Sequence, residues 1–226
     1  MVIFGLYLAD KAPFRTVYLH GMVNDKHGKK MSKSKGNVVS PIDLTDKYGA
    51  DALRIALVIG NTPGSDLSLY EEKIKGYKHF CNKIWNAARF VLSNIGDTTL
   101  DTARPTPTLR DEEILKELNL VVLSVTTHFD NFRFHLAGEE LYHYFWNIFA
   151  DIIIEEMKPR LAEGGDTKLL AQWMLLHILA VNLKLLHPFI PFVTEEIWGM
   201  MPSTGVATDG DPKSSKDPLI IESWPK

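Results

Sequence analysis

Apolar residues recur at spacings of three and four along most of the chain after residue 70, which is the pattern of helices with one buried face. The segment 71–95 shows it most clearly, with an apolar stripe of Ile74, Tyr77, Cys81, Ile84, Ala88, Val91 and Ile95. Gly96 is a natural stop for this helix, and Ser68 with Glu71 forms a capping-box pattern before it. The spacing therefore predicts one long helix.

Four further helices follow from the same pattern. Acidic residues in "TLRDEEI" open the second, and the third and fourth span roughly 135–157 and 168–186. A short last helix covers "TEEIWGMM" after Pro188 and Pro191. Helices with one apolar face each are most simply buried against one another, so this part of the chain predicts a helical bundle.

The first 70 residues have a different character. Residues 1–24 carry the short apolar runs "VIFGLYL" and "RTVYLHGMV" on either side of Pro13, and such runs between turn residues predict strands. The stretch 41–60 has helical spacing interrupted by Gly49, which predicts two short helices. "NTPGSD" at 61–66 is turn chemistry and a plausible domain boundary.

The C-terminal end combines a polar loop with an apolar closing segment. Residues 202–218 are rich in Ser, Gly, Asp and Pro, a composition typical of a flexible loop. The closing "LIIESWP" is apolar enough to pack back onto the bundle.

Composition limits the classes of protein that the chain can belong to. The hydrophobic content is 45%, normal for a globular protein, and the net charge of −3 means that any nucleic-acid contact must come from a local patch. Cys81 is the only cysteine, which excludes an internal disulfide, fits a reducing cytoplasm and suggests a core-filling role. No uninterrupted apolar run is long enough for a membrane span. We expect a cytoplasmic protein without a membrane partner.

The stretch "DKHGKKMSKSKGN", residues 25–37, contains five lysines and two serines on a loop with two glycines. Such a loop can be a solvated hairpin tip. It can also be a mobile clamp for a polyphosphate, because ammonium groups on flexible stems, hydroxyls and backbone N–H groups all donate to phosphate oxygens. Lysine content alone leaves both interpretations open.

The order of the residues favours the clamp. Lys30-Met31-Ser32-Lys33-Ser34 matches the KMSKS signature of class I aminoacyl-tRNA synthetases, after a strand-like segment and before a helix. The stretches "APFRTVYLHGMV", "KYGADALR", "TPGSDL", "NKIWNAARFVL", "FDNFRF" and "LLHPFIPFVTEEIW" resemble the valyl-tRNA synthetase family, in that family's order. Isoleucyl- and leucyl-tRNA synthetases share the loop and much of the architecture, but "TPGSDL" and "NKIWNAARFVL" are closer to the valyl family.

The resemblance implies an activity. Enzymes of this family activate an amino acid with ATP and Mg²⁺ and transfer it to their tRNA. It implies that Lys30 and Lys33 are the catalytic contacts to the ATP phosphates, and that Met31, Ser32 and Ser34 complete the ATP-binding loop. The implied partners are tRNA(Val), ATP and valine, with no cofactor held tightly by this chain and with the chain acting as a monomer.

The resemblance is to the C-terminal part of a synthetase, because the His-x-Gly-His signature, the amino-acid pocket and the editing domain have no counterpart in the chain. We therefore expect the chain alone to be inactive. The implied fold class is mainly α, with a β-strand remnant of a Rossmann-like catalytic domain and the KMSKS loop in 1–40, stem-contact helices in 41–69 and an α-helical anticodon-binding bundle in 70–226. The alternative is a non-catalytic helical tRNA-binding module, or the equivalent part of an isoleucyl or leucyl enzyme.

The implied anticodon-binding bundle needs aromatic groups that stack on unpaired bases and polar groups that bind their edges. The candidates on the first long helix and in "FDNFRF" are Trp85, Asn86, Arg89, Phe132 and Arg133. For Trp85, core packing is the competing interpretation, and Asn86 or Arg89 could instead bridge helices.

One histidine pattern could belong to a metal site. His135, Glu139 and His143 are four residues apart and share a helix face, a spacing that can ligate a metal. Hydrogen bonds between turns explain the same pattern, and the family resemblance implies no metal here. No metal site is predicted.

Overall fold

The computed structural model describes residues 1–96, 106–202 and 217–226, without the side chain of Lys33. The helices are α1 Val2–Ala9, α2 Pro41–Tyr48, α3 Ala50–Val58, α4 Glu71–Ile95, α5 Leu109–Asp130, α6 Phe134–His143, α7 Ile154–Glu163, α8 Gly165–Leu186 and α9 Pro191–Met200. Two short strands, β1 Val23–Asn24 and β2 Leu67–Ser68, pair in parallel. Single 3₁₀ turns occur at Lys33–Lys35 and Leu219–Ile221.

The bundle is built around α8. Most of this helix is buried on every side, including Met174, Leu175, Leu176, Ile178 and Leu179. It is long and apolar enough to cross a membrane by length and composition, but 83% of its most apolar window is buried inside the protein, which is the pattern of a core helix. The predicted bundle over the C-terminal part of the chain is confirmed.

The predicted third helix is part of a longer continuous helical segment that runs from α6 to α7. A π-helical stretch, Tyr144–Ile153, connects α6 to α7 without a break. The wider π turn places Phe145 and Phe149 in the core, where both are fully buried. The ring of Phe145 meets that of Phe80 on α4 edge to face, with centroids 6.1 Å apart. This aromatic contact packs α4 against the helical segment from α6 to α7.

Helix ends were predicted with mixed success. Gly96 ends α4 as expected, with a φ of +55° that favours glycine. The capping box expected from Ser68 and Glu71 is wrong, because Ser68 lies in β2 and Glu71 instead accepts hydrogen bonds from Lys47 and Tyr48, each at 2.6 Å.

The prediction of strands over 1–24 is wrong for the run "VIFGLYL", which forms α1, and only Val23–Asn24 lies in a strand. A short apolar run fits either structure, and a helix satisfies its own backbone hydrogen bonds where no neighbouring strand is available. None of the α1 side chains is buried. The two-residue β1 is held by β2, with Leu67 N–H donating to Met22 O and Leu69 N–H donating to Asn24 O, both at 2.9 Å.

The end of the chain packs back as predicted. Leu219 is buried, and Trp224 Nε1 donates to Thr126 Oγ1 of α5 at 2.8 Å. Most of the predicted flexible loop, residues 203–216, lies outside the described residues.

A polar joint fixes α3 to the bundle. The buried carboxylate of Asp51 accepts hydrogen bonds from the backbone N–H groups of Phe192 and Val193 at the start of α9, at 3.2 and 2.7 Å. One turn later, Arg54 donates to the carbonyls of Pro188 and Phe189, at 3.1 and 3.2 Å. Asp51 therefore supplies the acceptor that the first turn of α9 lacks. The joint sets the position of α2 and α3, and of the lysine loop before them, on the bundle.

Replacing Asp51 with alanine removes the acceptor from two N–H groups of α9. We expect the free energy of unfolding to fall by about 1 to 2 kcal/mol, measured by urea denaturation. The control Asp46→Ala removes an exposed carboxylate on α2 and should change stability by less than about 0.5 kcal/mol. Equal losses for the two variants would show that the cap contributes nothing.

A second buried carboxylate ties α5 to α7. Asp111 is fully buried, and both of its oxygens accept from Arg160, at 2.6 and 3.1 Å. It also forms a capping box with Thr108 at the start of α5. Burial alone would raise the pKa of Asp111, but the hydrogen bonds from Arg160 and Thr108 and the charge of Arg160 together lower the pKa below its ordinary value.

The variant Asp111→Asn should therefore lose stability in a pH-dependent way. A lowered pKa in the folded state means that the carboxylate stabilises the fold above its unfolded pKa of about 3.9 and that this contribution disappears as the pH falls through the folded value. At pH 7 we expect a loss on the order of 3 kcal/mol in urea denaturation, shrinking at acid pH. Asp151→Asn, which removes an exposed ion pair with Lys83, should lose under about 1 kcal/mol. A loss at Asp111 that stays constant between pH 7 and pH 3 would contradict the ion-pair account.

Candidate functional site

The lysine loop, residues 25–37, begins directly after β1 and is held together by hydrogen bonds between its own residues. Asn24 and Lys30 form an antiparallel bridge, and Asp25 N–H donates to Lys29 O at 2.9 Å. The Asp25 carboxylate accepts from the N–H groups of His27 and Lys29, both at 2.9 Å. Gly28, with a φ of +72°, permits the turn between them. The first half of the loop is therefore a hairpin whose tip is held by one carboxylate.

Asn37 ties the two ends of the loop together. Its Nδ2 donates to Asp25 Oδ2 at 2.8 Å and to Lys30 O at 3.3 Å, and its Oδ1 accepts from Ser32 N–H at 2.9 Å. The hydrogen bond from Asn37, and then those from the backbone of the hairpin, lower the pKa of Asp25 and keep it ionised. Asn37 thus anchors the base of the loop, although the sequence analysis gave it no role.

The five motif residues differ in what they contact. Lys30 is exposed, and Met31 is half-buried against the small core around Leu44. The hydroxyls of Ser32 and Ser34 are 3.2 Å apart. The backbone of Lys33 begins a 3₁₀ turn, and its side chain lies outside the described part of the chain. An exposed lysine on the same short loop as two neighbouring hydroxyls fits a polyanion better than it fits an apolar ligand.

The candidates on α4 lie on its middle turns. Trp85 is half-buried and packs against the core, as its competing interpretation expected. Asn86 and Arg89 are exposed and three residues apart, so they share one face. Neither side chain is hydrogen-bonded to another residue that the structure describes. The pair does not bridge helices within that part of the chain and is free to meet a ligand.

Phe132 and Arg133 form the turn between α5 and α6. Phe132 has a φ of +56°, which is unusual for a bulky residue, and 42% of its surface is exposed. Both residues line a groove with a volume of about 760 Å³, together with Tyr18, Thr62, Pro63 and Asn131. The ring of Tyr18 lies 6.4 Å from that of Phe132. The structure therefore joins this pair to the N-terminal segment and to the turn before β2, and does not place the α4 candidates in the same groove.

The histidine pattern on α6 is divided between two surfaces. His135 lines the groove beside Phe132, whereas Glu139 and His143 line a second groove against α4. His143 Nδ1 is 3.3 Å from Asn147 Nδ2. Within the described ranges no three His, Cys, Asp or Glu side chains are close enough to hold a metal ion.

Cys81 is half-buried at the edge of the bundle core. It packs against the bundle core, and burial raises the pKa of its thiol to about 12. Such a thiol is not reactive near neutral pH, which confirms the core-filling interpretation.

Comparison with known proteins gives the class. Residues 111–226 match the family model "Anticodon-binding domain of tRNA ligase". Residues 1–70 match the model "tRNA synthetases class I (I, L, M and V)". The chain therefore belongs to the class I tRNA synthetases and contains their anticodon-binding domain.

Individual relatives narrow the resemblance. The chain is 42% identical over its full length to the valine–tRNA ligase of Carboxydothermus hydrogenoformans and 43% identical to that of Clostridium acetobutylicum, and in both cases it spans 25% of the relative. Among solved structures, it superimposes on the LeuRS of Agrobacterium radiobacter with a TM-score of 0.70 at 23% identity, covering 91% of this chain and 25% of that one. The relatives agree with the valyl resemblance, and the structural match supports the fold.

Replacing Asn37 with alanine should loosen the base of the lysine loop. The Ser32 amide loses its acceptor, so we expect its hydrogen exchange to accelerate about fivefold, in line with about 1 kcal/mol for one hydrogen bond. Asn131→Ala, which removes a local bond to Thr127 O at the end of α5, is the matched control and should leave Ser32 unchanged. Unchanged exchange of Ser32 in the Asn37 variant would rule out the anchoring role.

Proposed function

We propose that this chain forms the part of a valine–tRNA ligase that contributes the ATP-phosphate loop and binds the anticodon of tRNA(Val). The observation that carries the proposal is the complete KMSKS motif on an anchored loop, within a chain 42% identical along its whole length to a valine–tRNA ligase. Because the chain spans about a quarter of such relatives, the activity of the whole enzyme is part of the proposal.

The lysine loop acts on the ATP phosphates. Class I synthetases use ATP, and we assign Lys30 and Lys33 as catalytic residues that compensate the negative charge moving onto the leaving pyrophosphate. Ser32, Ser34 and the backbone of Met31 donate hydrogen bonds to the same phosphates. Mg²⁺ accompanies ATP as its counter-ion and further neutralises the phosphates. Asn37 and Asp25 fix the ends of the loop, so that its lysines move while its base does not.

The bundle reads the RNA. The exposed ring of Phe132 offers a stacking surface for an unpaired base, and Arg133 beside it can pair with a phosphate. Asn86 and Arg89 form a second polar pair on α4, with Trp85 behind them. A net charge of −3 on the whole chain means that such local groups must provide the attraction for RNA.

The remaining features follow from the same proposal. The substrate is valine, the chain acts as a monomer, and the protein works in the cytoplasm. On its own the chain should bind tRNA without activating valine.

A titration with tRNA tests the proposal. Fluorescence anisotropy is measured with tRNA(Val) and with the same tRNA carrying an isoleucine anticodon, at two salt concentrations because phosphate contacts weaken steeply with salt. We expect binding to tRNA(Val) and a loss of at least tenfold on the anticodon exchange. Equal binding of the two tRNAs, or none, would overturn the anticodon-reading role.

A pair of arginine variants locates the interface. Arg133→Ala should weaken tRNA binding about tenfold, because a hydrogen bond to a charged group such as a phosphate contributes about 1.5 to 3 kcal/mol. Arg110 lies at the other end of α5 and is paired with Glu113 and Glu156. Arg110→Ala removes the same charge and should have little effect on tRNA binding. Equal losses for both variants would indicate a general charge effect instead of a site.

A further inference from the structure

A second groove lies between α4 and α6, and it shares no lining residue with the lysine loop or with the groove of Phe132. Its volume is about 420 Å³. It is lined by Glu72, Lys73, Gly76 and Tyr77 on α4, by Glu139, Tyr142 and His143 on α6, and by Ile59. Each helix contributes residues three or four positions apart, so two matching faces are turned toward one another.

Gly76 keeps the groove open. A glycine in the interior of a helix costs about 1 kcal/mol relative to alanine, so its presence needs a reason. At Gly138 the reason is packing, because a Cβ there would lie 3.0 Å from Ile59 Cγ1. A Cβ at Gly76 would meet no atom within 4 Å. Gly76 therefore leaves a bare stretch of helix surface facing the groove, against which a flat group can lie.

The polar groups in the groove have unused hydrogen-bonding capacity. Lys73 Nζ donates to Ile59 O at 2.8 Å, which leaves two of its three hydrogens for a ligand. Burial lowers the pKa of Lys73, against the opposing effect of Glu139, so the ammonium group is partly stripped of water. The half-buried carboxylate of Glu139 forms no hydrogen bond with another described residue. The groove thus presents one donor group and one carboxylate that have incomplete partners.

The charges select the kind of ligand. Glu72 and Glu139 together outweigh Lys73, so the groove disfavours a phosphate. The rings of Tyr77 and Tyr142, which meet edge to face with centroids 6.0 Å apart, give the groove an aromatic lining. A flat heterocycle with both donors and acceptors on one edge fits these features.

Guanine fits them best among the RNA bases. Its Watson–Crick edge places the O6 acceptor next to two adjacent donors, N1–H and the N2 amino group. Lys73 can donate to O6 while both oxygens of Glu139 accept from N1 and N2, which is a bidentate pairing. Adenine, cytosine and uracil each present only one donor position on this edge, so they can satisfy only one carboxylate oxygen.

We propose that the groove between α4 and α6 binds one unpaired guanine of an RNA, with Lys73 on O6 and Glu139 on N1 and N2. This guanine site rests on the proposed role in RNA binding, and it adds a second base contact that is separate from the anticodon candidates. Tyr77 and Tyr142 support the ring, and His143 at the exposed rim lies where the sugar-phosphate leaves the groove.

Nucleotide titrations of the isotope-labelled chain test the chemistry directly by NMR. We expect GMP to shift the amide signals of Ile59, Gly76 and His143 in a saturable way. IMP, which lacks only the N2 amino group, should bind about fivefold to tenfold more weakly, and AMP, CMP and UMP more weakly still. Absence of saturable shifts at these residues, or equal binding of GMP and IMP, would overturn the proposal.

Variants locate the binding in the groove. Gly76→Leu fills the open face and should abolish GMP binding, while improving helix propensity, so loss of folding is not expected. Gly199→Leu is the matched control on α9, because its Cβ also meets no atom within 4 Å and it lies outside this groove. Glu139→Gln, which keeps one acceptor, should reduce the preference for GMP over IMP to about twofold. If the two glycine variants bind GMP equally, the site is not in this groove.

The affinity for RNA separates the guanine site from the proposed function. Gly76→Leu should weaken the binding of tRNA about tenfold, whereas Gly199→Leu should not. If the chain binds tRNA with full anticodon dependence but Gly76→Leu has no effect on it, the proposed function stands and the RNA guanine site is wrong. If GMP binds in the groove but tRNA binding ignores Gly76→Leu, the ligand is a free guanine nucleotide and the RNA assignment fails.

Discussion

The constraint that organises the molecule is the burial of α8. This helix is apolar nearly all round, so it has to be covered on every side, and α4, α5, α7 and α9 supply the cover. Among the buried polar groups, the carboxylate of Asp111 is paired with Arg160. Because the surrounding helices are fixed by one shared core, residues on α4 and α6 keep a constant separation. The groove between α4 and α6 depends on that separation.

The lysine loop reaches the bundle through a short series of polar contacts. Asn37 and Asp25 close the loop, and Asn24 Nδ2 donates to Asp66 Oδ2 at 3.1 Å, next to β2. From β2 the chain enters α4 directly, and Asp51 and Arg54 fix α3 to the start of α9. The loop is thus attached to the bundle along two routes, one through the backbone of β2 and one through side chains of α3. A displacement of the bundle would therefore move the base of the loop.

The sequence predicted what depends on periodicity. The apolar stripe of α4, its stop at Gly96 and the pair α2 and α3 all follow from local spacing, because each helix buries one apolar face. The prediction of strands over 1–24 was wrong for its first apolar run. A short apolar run is compatible with helix or strand, and the choice depends on neighbours far away in the chain. The π-helical stretch Tyr144–Ile153 was also out of reach, since it arises from fitting several aromatic rings into the core at once.

The candidate site could also be predicted from the sequence only in part. The KMSKS motif was visible because it is a contiguous string, and a Gly-Asn pair after it could have suggested Asn37, since asparagine side chains often bind the backbone of turns. The two grooves could not be predicted, because each depends on residues far apart in the chain, such as Tyr18 with Phe132, or Lys73 with Glu139.

Under the proposed function, the lysine loop and the bundle have different requirements. A loop that follows phosphate charge has to move, but its lysines must start from a fixed place, since a displacement of about 1 Å already lowers catalytic efficiency. The hydrogen bonds of Asn37 to Asp25, Lys30 and Ser32 hold the fold of the loop, while the side chain of Lys30 stays exposed. The bundle has the opposite demand, because reading a base edge requires donors and acceptors that do not move. The polar joint at Asp51 and Arg54 connects the part of the chain that carries the loop to the bundle.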